Sequence, residues 1–157
     1  MKTNSIRKPF SRSLYNKADG KAKKMIRAYL QNQGHKLKRD EEKYYCDVEG
    51  EDGHGWEVEI KYAWSKEWPD HWKDVRIPHR KKRLLDKKGE DNITFYILNS
   101  ICSQAWEIPG TVVANADVVE VPNKFVPNGE LFFSIFISDA KKIFLTDVNE
   151  YDTVQKS

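Results

Sequence analysis

The sequence predicts an α/β domain, and three observations carry that expectation. Residues 17–33 place apolar side chains at helical spacing, residues 44–62 hold two alternating strands around a glycine-rich turn, and residues 92–99 form an unbroken apolar run. A run of that last kind is what a strand buried on both faces requires.

The chain has 157 residues, of which 39% are hydrophobic and 32% charged, enough for one domain with a proper core. Nothing approaches the run of ~20 apolar residues that spans a membrane. The first residues are basic and polar, without the apolar stretch of a secretory signal. Cys46 and Cys102 are too few and too far apart for a zinc or disulfide framework, so a reducing cytoplasm is expected. Charge is unevenly spread. Residues 1–41 carry twelve Lys or Arg against three acids, and residues 90–157 carry four Lys against ten acids. A chain built this way suits one basic side turned to a polyanion, or simply a solvated basic helix.

In order, residues 1–15 show no periodicity and read as a flexible basic arm, with a single domain over 16–157. A helix is predicted from about Lys17 to Gln33. Ala18, Ala22, Met25, Ile26, Tyr29 and Leu30 form its apolar face, Lys17, Lys21, Lys24 and Arg27 its basic one, and Gly34 its cap. Asp19 falls inside the apolar arc. It is read as the N-cap of a helix beginning at Gly20, or else as an acid held for function.

The hairpin follows. Tyr44, Cys46 and Val48 alternate with Tyr45, Asp47 and Glu49; after Asp52-Gly53, Val58, Ile60 and Tyr62 alternate with Glu57, Glu59 and Lys61. An odd-numbered connecting loop puts Asp47 on the face of Glu59 and Lys61. A five-residue loop at 51–55 would set Asp47 opposite Glu59. Two carboxylates and a lysine converging in this way suit metal-assisted phosphodiester hydrolysis. Hard divalent cations bind through one or two carboxylates, and a lysine beside them can orient water or stabilise developing charge. The plainer reading is a salt-bridged, solvated hairpin face.

Asp47, the turn and Glu59-Ile60-Lys61 resemble the PD-(D/E)XK nuclease superfamily, which includes restriction endonucleases and Holliday-junction resolvases. The resemblance implies a restriction-endonuclease-like mixed β-sheet flanked by helices, with an α-β-β-β-α-β core and here extra C-terminal strands. It implies Asp47, Glu59 and the Ile60 carbonyl as Mg²⁺ ligands, with Mn²⁺ able to substitute, and Lys61 as the catalytic lysine. Glu57 is an accessory ligand or a charge at the rim. Cys46 stands where the superfamily has proline. On the first helix, where members place a metal-binding glutamate, the resolvase-like pattern falls on Lys23, with Asp19 one turn earlier as a substitute.

After the hairpin, four of the five tryptophans fall between residues 56 and 72. They read either as an aromatic wall for bases or as a hydrophobic cluster closing the sheet edge. Residues 74–88 are predicted as a second helix with Pro78 in its first turn, Ile77, Leu84 and Leu85 facing the sheet, and a cationic stripe of Arg76, Arg80, Lys81, Lys82, Arg83, Lys87 and Lys88. Lys21, Lys24, Arg76, Arg80, Lys81 and Lys82 are the candidate DNA contacts, Arg80 and Lys81 foremost. Strands are predicted at 92–99, 104–108, 117–121, 131–137 and 142–145, with one helical turn at 111–116. His35, His54, His71 and His79 lack zinc spacing.

The leading expectation is thus a Mg²⁺-dependent endonuclease acting on DNA. A homodimer is the arrangement that cutting both strands would favour. The alternatives are a nucleic-acid-binding module that keeps the nuclease-like fold without strong activity, and an interaction protein whose acidic C-terminal part meets the partner.

Overall fold

The computed structural model describes residues 12–39, 46–122 and 127–145, and, within the first helix, the side chains from Gly20 onward. Residues 1–11 of the expected arm lie outside that set. Helix α1 spans Arg12–Asn32, so residues 12–15, assigned to the arm, are helical. Asp19 therefore sits within α1 and does not cap its start; its side chain lies outside the described residues. The predicted apolar face is the buried one at Ala22, Met25, Ile26 and Leu30. Each of the three larger side chains contributes about 1.5–3 kcal/mol by leaving water. Gly34, at φ +97°, ends the helix: its N–H donates to the Gln31 carbonyl and that of His35 to Leu30. This is the paired pattern that a left-handed residue makes possible.

The chain then runs extended, and Leu37 bridges Gly50 in antiparallel fashion. Strands β1 (Val48–Glu49) and β2 (Gly55–Lys61) form the hairpin. Of the first strand expected at 44–49, Tyr44 and Tyr45 lie outside the described residues, and Cys46 and Asp47 form a bend. Strand β3 (Asp74–Pro78), a 3-10 turn (His79–Lys81) and α2 (Lys82–Lys88) lead to β4 (Ile93–Asn99). There follow β5 (Gln104–Pro109), α3 (Gly110–Ala114), β6 (Asp117–Val121), β7 (Glu130–Phe136) and β8 (Lys141–Phe144).

The architecture is mixed α/β. One five-stranded sheet has the order β1-β2-β4-β5-β8, and a three-stranded antiparallel sheet the order β3-β7-β6. The large sheet is mixed, because β2 and β4 run parallel while the other pairs are antiparallel. α1 covers one face through Val48, Trp56, Val58, Tyr96, Leu98 and Ala105. The other face, with Phe95, Ile97, Trp106 and Ile108, packs on the small sheet, α2 and α3.

The helix expected over 74–88 is in its first third a strand. Val75 and Ile77 are fully buried, whereas Asp74 and Arg76 face outward. That period of two marks a strand, and Pro78, lacking an N–H, closes it before the 3-10 turn. The tryptophans serve mainly as structure. Trp64 and Trp68 are buried, and Trp68 meets Trp64, Trp72 and Trp106 edge-on at 5.0–5.5 Å between centroids. Trp72 alone of the group at 64–72 keeps substantial exposure. The loop carrying them is fastened by buried Asn99, whose side-chain amide donates to the carbonyls of Ser65 and Lys66.

Gly110 shows how closely α3 approaches the start of β4: a Cβ there would lie 2.5 Å from the Glu90 carbonyl oxygen and 2.7 Å from that of Ile93. Both obstacles are backbone, so overpacking applies. Gly110→Ala is expected to lower stability by about 1–3 kcal/mol, read as a shifted urea midpoint at constant slope, while Gly20→Ala, in open space on α1, leaves the midpoint unchanged or raises it.

Candidate active site

The hairpin turn decides what Asp47 faces. Gly53 N–H donates to the Gly50 carbonyl and Gly50 N–H to that of His54, so the turn is tight and Val48 pairs with Trp56. Asp47 thereby falls opposite Glu57, not opposite Glu59 as a loop at 51–55 would have it. The loop is still odd-numbered, so Asp47 keeps to the side of Glu57, Glu59 and Lys61. Its carboxylate accepts the Val58 N–H at 2.8 Å, and its own N–H reaches the Glu57 carboxylate at 3.3 Å. β2 presents these odd-numbered residues on the face of Phe95 and Ile97, opposite α1.

One cleft of about 380 Å³ gathers them. It is lined by Asp47, Glu57, Glu59, Ile60 and Lys61 from the hairpin, by Arg76, Pro78, Arg80 and Lys81 from the following segment, and by Phe132 from β7. Glu57, read as an accessory ligand or a charge at the rim, is buried. It survives there because Lys81, equally buried, places its ammonium 2.6 Å from Glu57 and 3.8 Å from Glu59. Arg80 reaches Glu59 at 3.5 Å. The 3-10 turn after β3 is what delivers both cations, since Pro78 turns the chain back over β2.

The expected cationic stripe is therefore largely committed to carboxylates. Arg76 pairs with Asp74, Lys82 with Asp86, and Lys88 with Glu49 at 2.5 Å. Lys21 and Lys24 are exposed on α1. Lys23, standing where the resolvase-like pattern would have an acid, acts electrostatically on Asp47. Lys61 extends along the cleft with its ammonium 5.1 Å from the centre of the Trp72 ring. Burial, and then Arg76, hold its pKa below the usual lysine value, with Asp74 opposing. His54 turns away from the cleft to Thr94, its ring nitrogen 2.9 Å from the hydroxyl.

Sequence reasoning named Lys81 as a foremost DNA contact but missed its burial against Glu57, and it missed the wall supplied by Phe132. The alternation of 74–78 was the available signal for the first, because it moves the helix start to Lys82 and leaves Lys81 on a turn. The second had no local signal. Among the described residues, no three His, Cys, Asp or Glu side chains are gathered into a common ligand group. Lys81 stands among the carboxylates instead. No family model matches the chain, and neither a curated protein nor a solved structure is significantly similar to it.

The Asp47 carboxyl is pushed up from 3.8 to about 6, by burial first and by Glu57 next, against the pull of the Val58 N–H, Lys23 and Lys81. Between those two values the folded state holds a proton that the unfolded chain has released. Stability contributed by this group therefore falls as pH rises through that window. Asp47→Asn, which keeps an acceptor for Val58, is expected to be more stable than the parent at pH 7 by about 3 kcal/mol and equal to it below pH 4. Urea unfolding at the two pH values checks this; a constant difference would mean that Asp47 ionises normally.

Proposed function

We propose that this protein is a metal-dependent nuclease that hydrolyses DNA phosphodiester bonds, with the PD-(D/E)XK type of site. The observation that carries the reading is one cleft holding Asp47, Glu57, Glu59 and Lys61 on its floor, with Arg76, Arg80 and Lys81 around them. The order of elements supports it as well: α1, the bridging residues near Leu37, β1, β2, α2, then β4 parallel to β2. β3 is an insertion in that order, and it leads the chain into the 3-10 turn that brings Arg80 and Lys81 over the carboxylates.

The donor set fits a hard divalent cation such as Mg²⁺ or Mn²⁺. Such ions take carboxylate oxygens, typically one or two with the rest from water and phosphate. Asp47 would hold it with Glu57 or Glu59, and a cation there would offset the burial and the Glu57 charge that keep the Asp47 carboxyl protonated above its usual range. A bound cation polarises the phosphoryl group and activates water at neutral pH. Lys61, at the same cleft, stabilises charge on the phosphate or orients the attacking water. Arg76 and Arg80 hold neighbouring phosphates, for which each would exchange its present carboxylate.

A second reading, a binding module with the same fold, draws on Lys23 standing near Asp47 in place of an acid. Supercoiled plasmid incubated with Mg²⁺, Mn²⁺ or EDTA separates the two. Nicking is expected with either metal and not with EDTA. Lys61→Ala should slow it by about a hundredfold or more, the usual effect of losing one electrostatic stabiliser, with duplex affinity little changed. Asp47→Ala should weaken divalent-cation binding while metal-free DNA affinity holds or rises. A Lys61→Ala protein that cuts at the parental rate would give the lead to the binding module.

A further inference from the structure

Lys61 and Arg76 line the carboxylate cleft and also line a second cavity of about 400 Å³, bounded by His71, Trp72, Lys73 and Asp74. The two spaces share those side chains. We propose that they join, beside the carboxylate site, into one groove that holds a single, unpaired strand of DNA. What happens to the strand at the carboxylates rests on the nuclease reading; its binding does not.

The groove alternates the two features that an unpaired strand needs. Trp72 stands at one end, half-buried, its ring edge held by Trp68 and His71. At the other end are Phe132 and Pro78, which pair across β7 and β3. They lie on the sheet face opposite buried Val75, Ile77, Phe133 and Ile135, a face they share with Arg76. Between these apolar surfaces lie Lys61 and Arg76. Of the acids lining the two spaces, Glu57 and Glu59 face Lys81 and Arg80, Asp47 accepts the Val58 N–H, and Asp74 accepts hydrogen bonds from Ser134 Oγ at 2.6 Å and Arg76 Nε at 3.2 Å. Cations tracking a backbone, with rings between them for bases, are the arrangement of sequence-tolerant single-strand sites.

A duplex is a poor occupant. Its base faces are covered by its own stack, so rings set inside a groove cannot reach them, and it would touch only the rim through phosphates. The cavities are of the size that encloses small molecules, ~300–1,000 Å³. The Lys61 ammonium now covers the face of Trp72. A phosphate beside it is the stronger partner, and moving to it uncovers the ring for a base.

The test is fluorescence anisotropy in EDTA with a labelled oligothymidylate and a duplex of the same length. The single strand is expected to bind at least about tenfold more tightly than the duplex, and Phe132→Leu and Trp72→Leu each to weaken it roughly tenfold or more while leaving the duplex unaffected. Far-UV circular dichroism and the urea midpoint establish that the variants fold. Should Trp72→Leu not fold, Phe132→Leu carries the test alone. Equal or tighter duplex binding, or a folded Phe132→Leu protein with parental affinity for the single strand, overturns the groove. Single-strand binding without metal-dependent cutting sinks the nuclease reading and leaves the groove standing. Duplex cutting without single-strand preference does the reverse.

Discussion

Burying a carboxylate beside two others is costly unless a cation goes in with it, and the region around β2 is arranged to meet that requirement. Glu57 is inside because Lys81 is inside. Removing one member of such a pair typically costs about 3–5 kcal/mol, since a bare charge stays behind. The pairing dictates the path of the chain over the sheet. Residues after β2 must leave, form β3 against the small sheet, and return through Pro78 at the height of Glu57. Arg80 and the cleft wall at Arg76 follow from that return. Lys81 also stands 2.6 Å from Glu57 and 3.8 Å from Glu59, so the chain's own ammonium offsets their charge.

Parity at the hairpin is the second constraint. The tight turn moved Asp47 two positions along β2 from the expected partner, yet the residue stayed on the same side. A shift of one would have turned it to the α1 face and into the apolar contacts of Val48, Trp56 and Val58. The shift of two altered the cluster's membership. Glu57 became the direct neighbour of Asp47, and Lys61 was left further along, over Trp72.

Much of the architecture was readable from local pattern. The apolar run at 93–99, the strands from 104 to 144 and the buried face of α1 all came from spacing and turn residues, because each buries a face whose period announces it. Residues 74–78 were obscured by the dense cations that follow, which favoured one long helix although Val75 and Ile77 alternate with charged neighbours. The carboxylates of the cleft were legible for the same reason that the hairpin was. What the cations do was not legible, because an ion pair such as Lys81 with Glu57 depends on where a turn brings the chain back, and sequence spacing does not record that. Phe132 is the extreme case: it enters the cleft only through a sheet formed by distant segments. Among the described residues, no helix is long and apolar enough to cross a membrane, as the composition implied.

That sheet has a bearing on how the molecule is made. β3 pairs with β7 alone, and β7 is more than fifty residues downstream (78 to 130). The residues of the carboxylate cluster and its cations fall between 47 and 81, so they leave the ribosome well before the strand that holds their wall in place. Closing so long a loop is entropically slow to begin and is rewarded only once the strand arrives. During synthesis the charged floor of the cleft is therefore laid down first and stays without that wall until β7 has emerged. A half-made copy lacks the β7 wall, so the cleft takes its shape only in a chain made through β7.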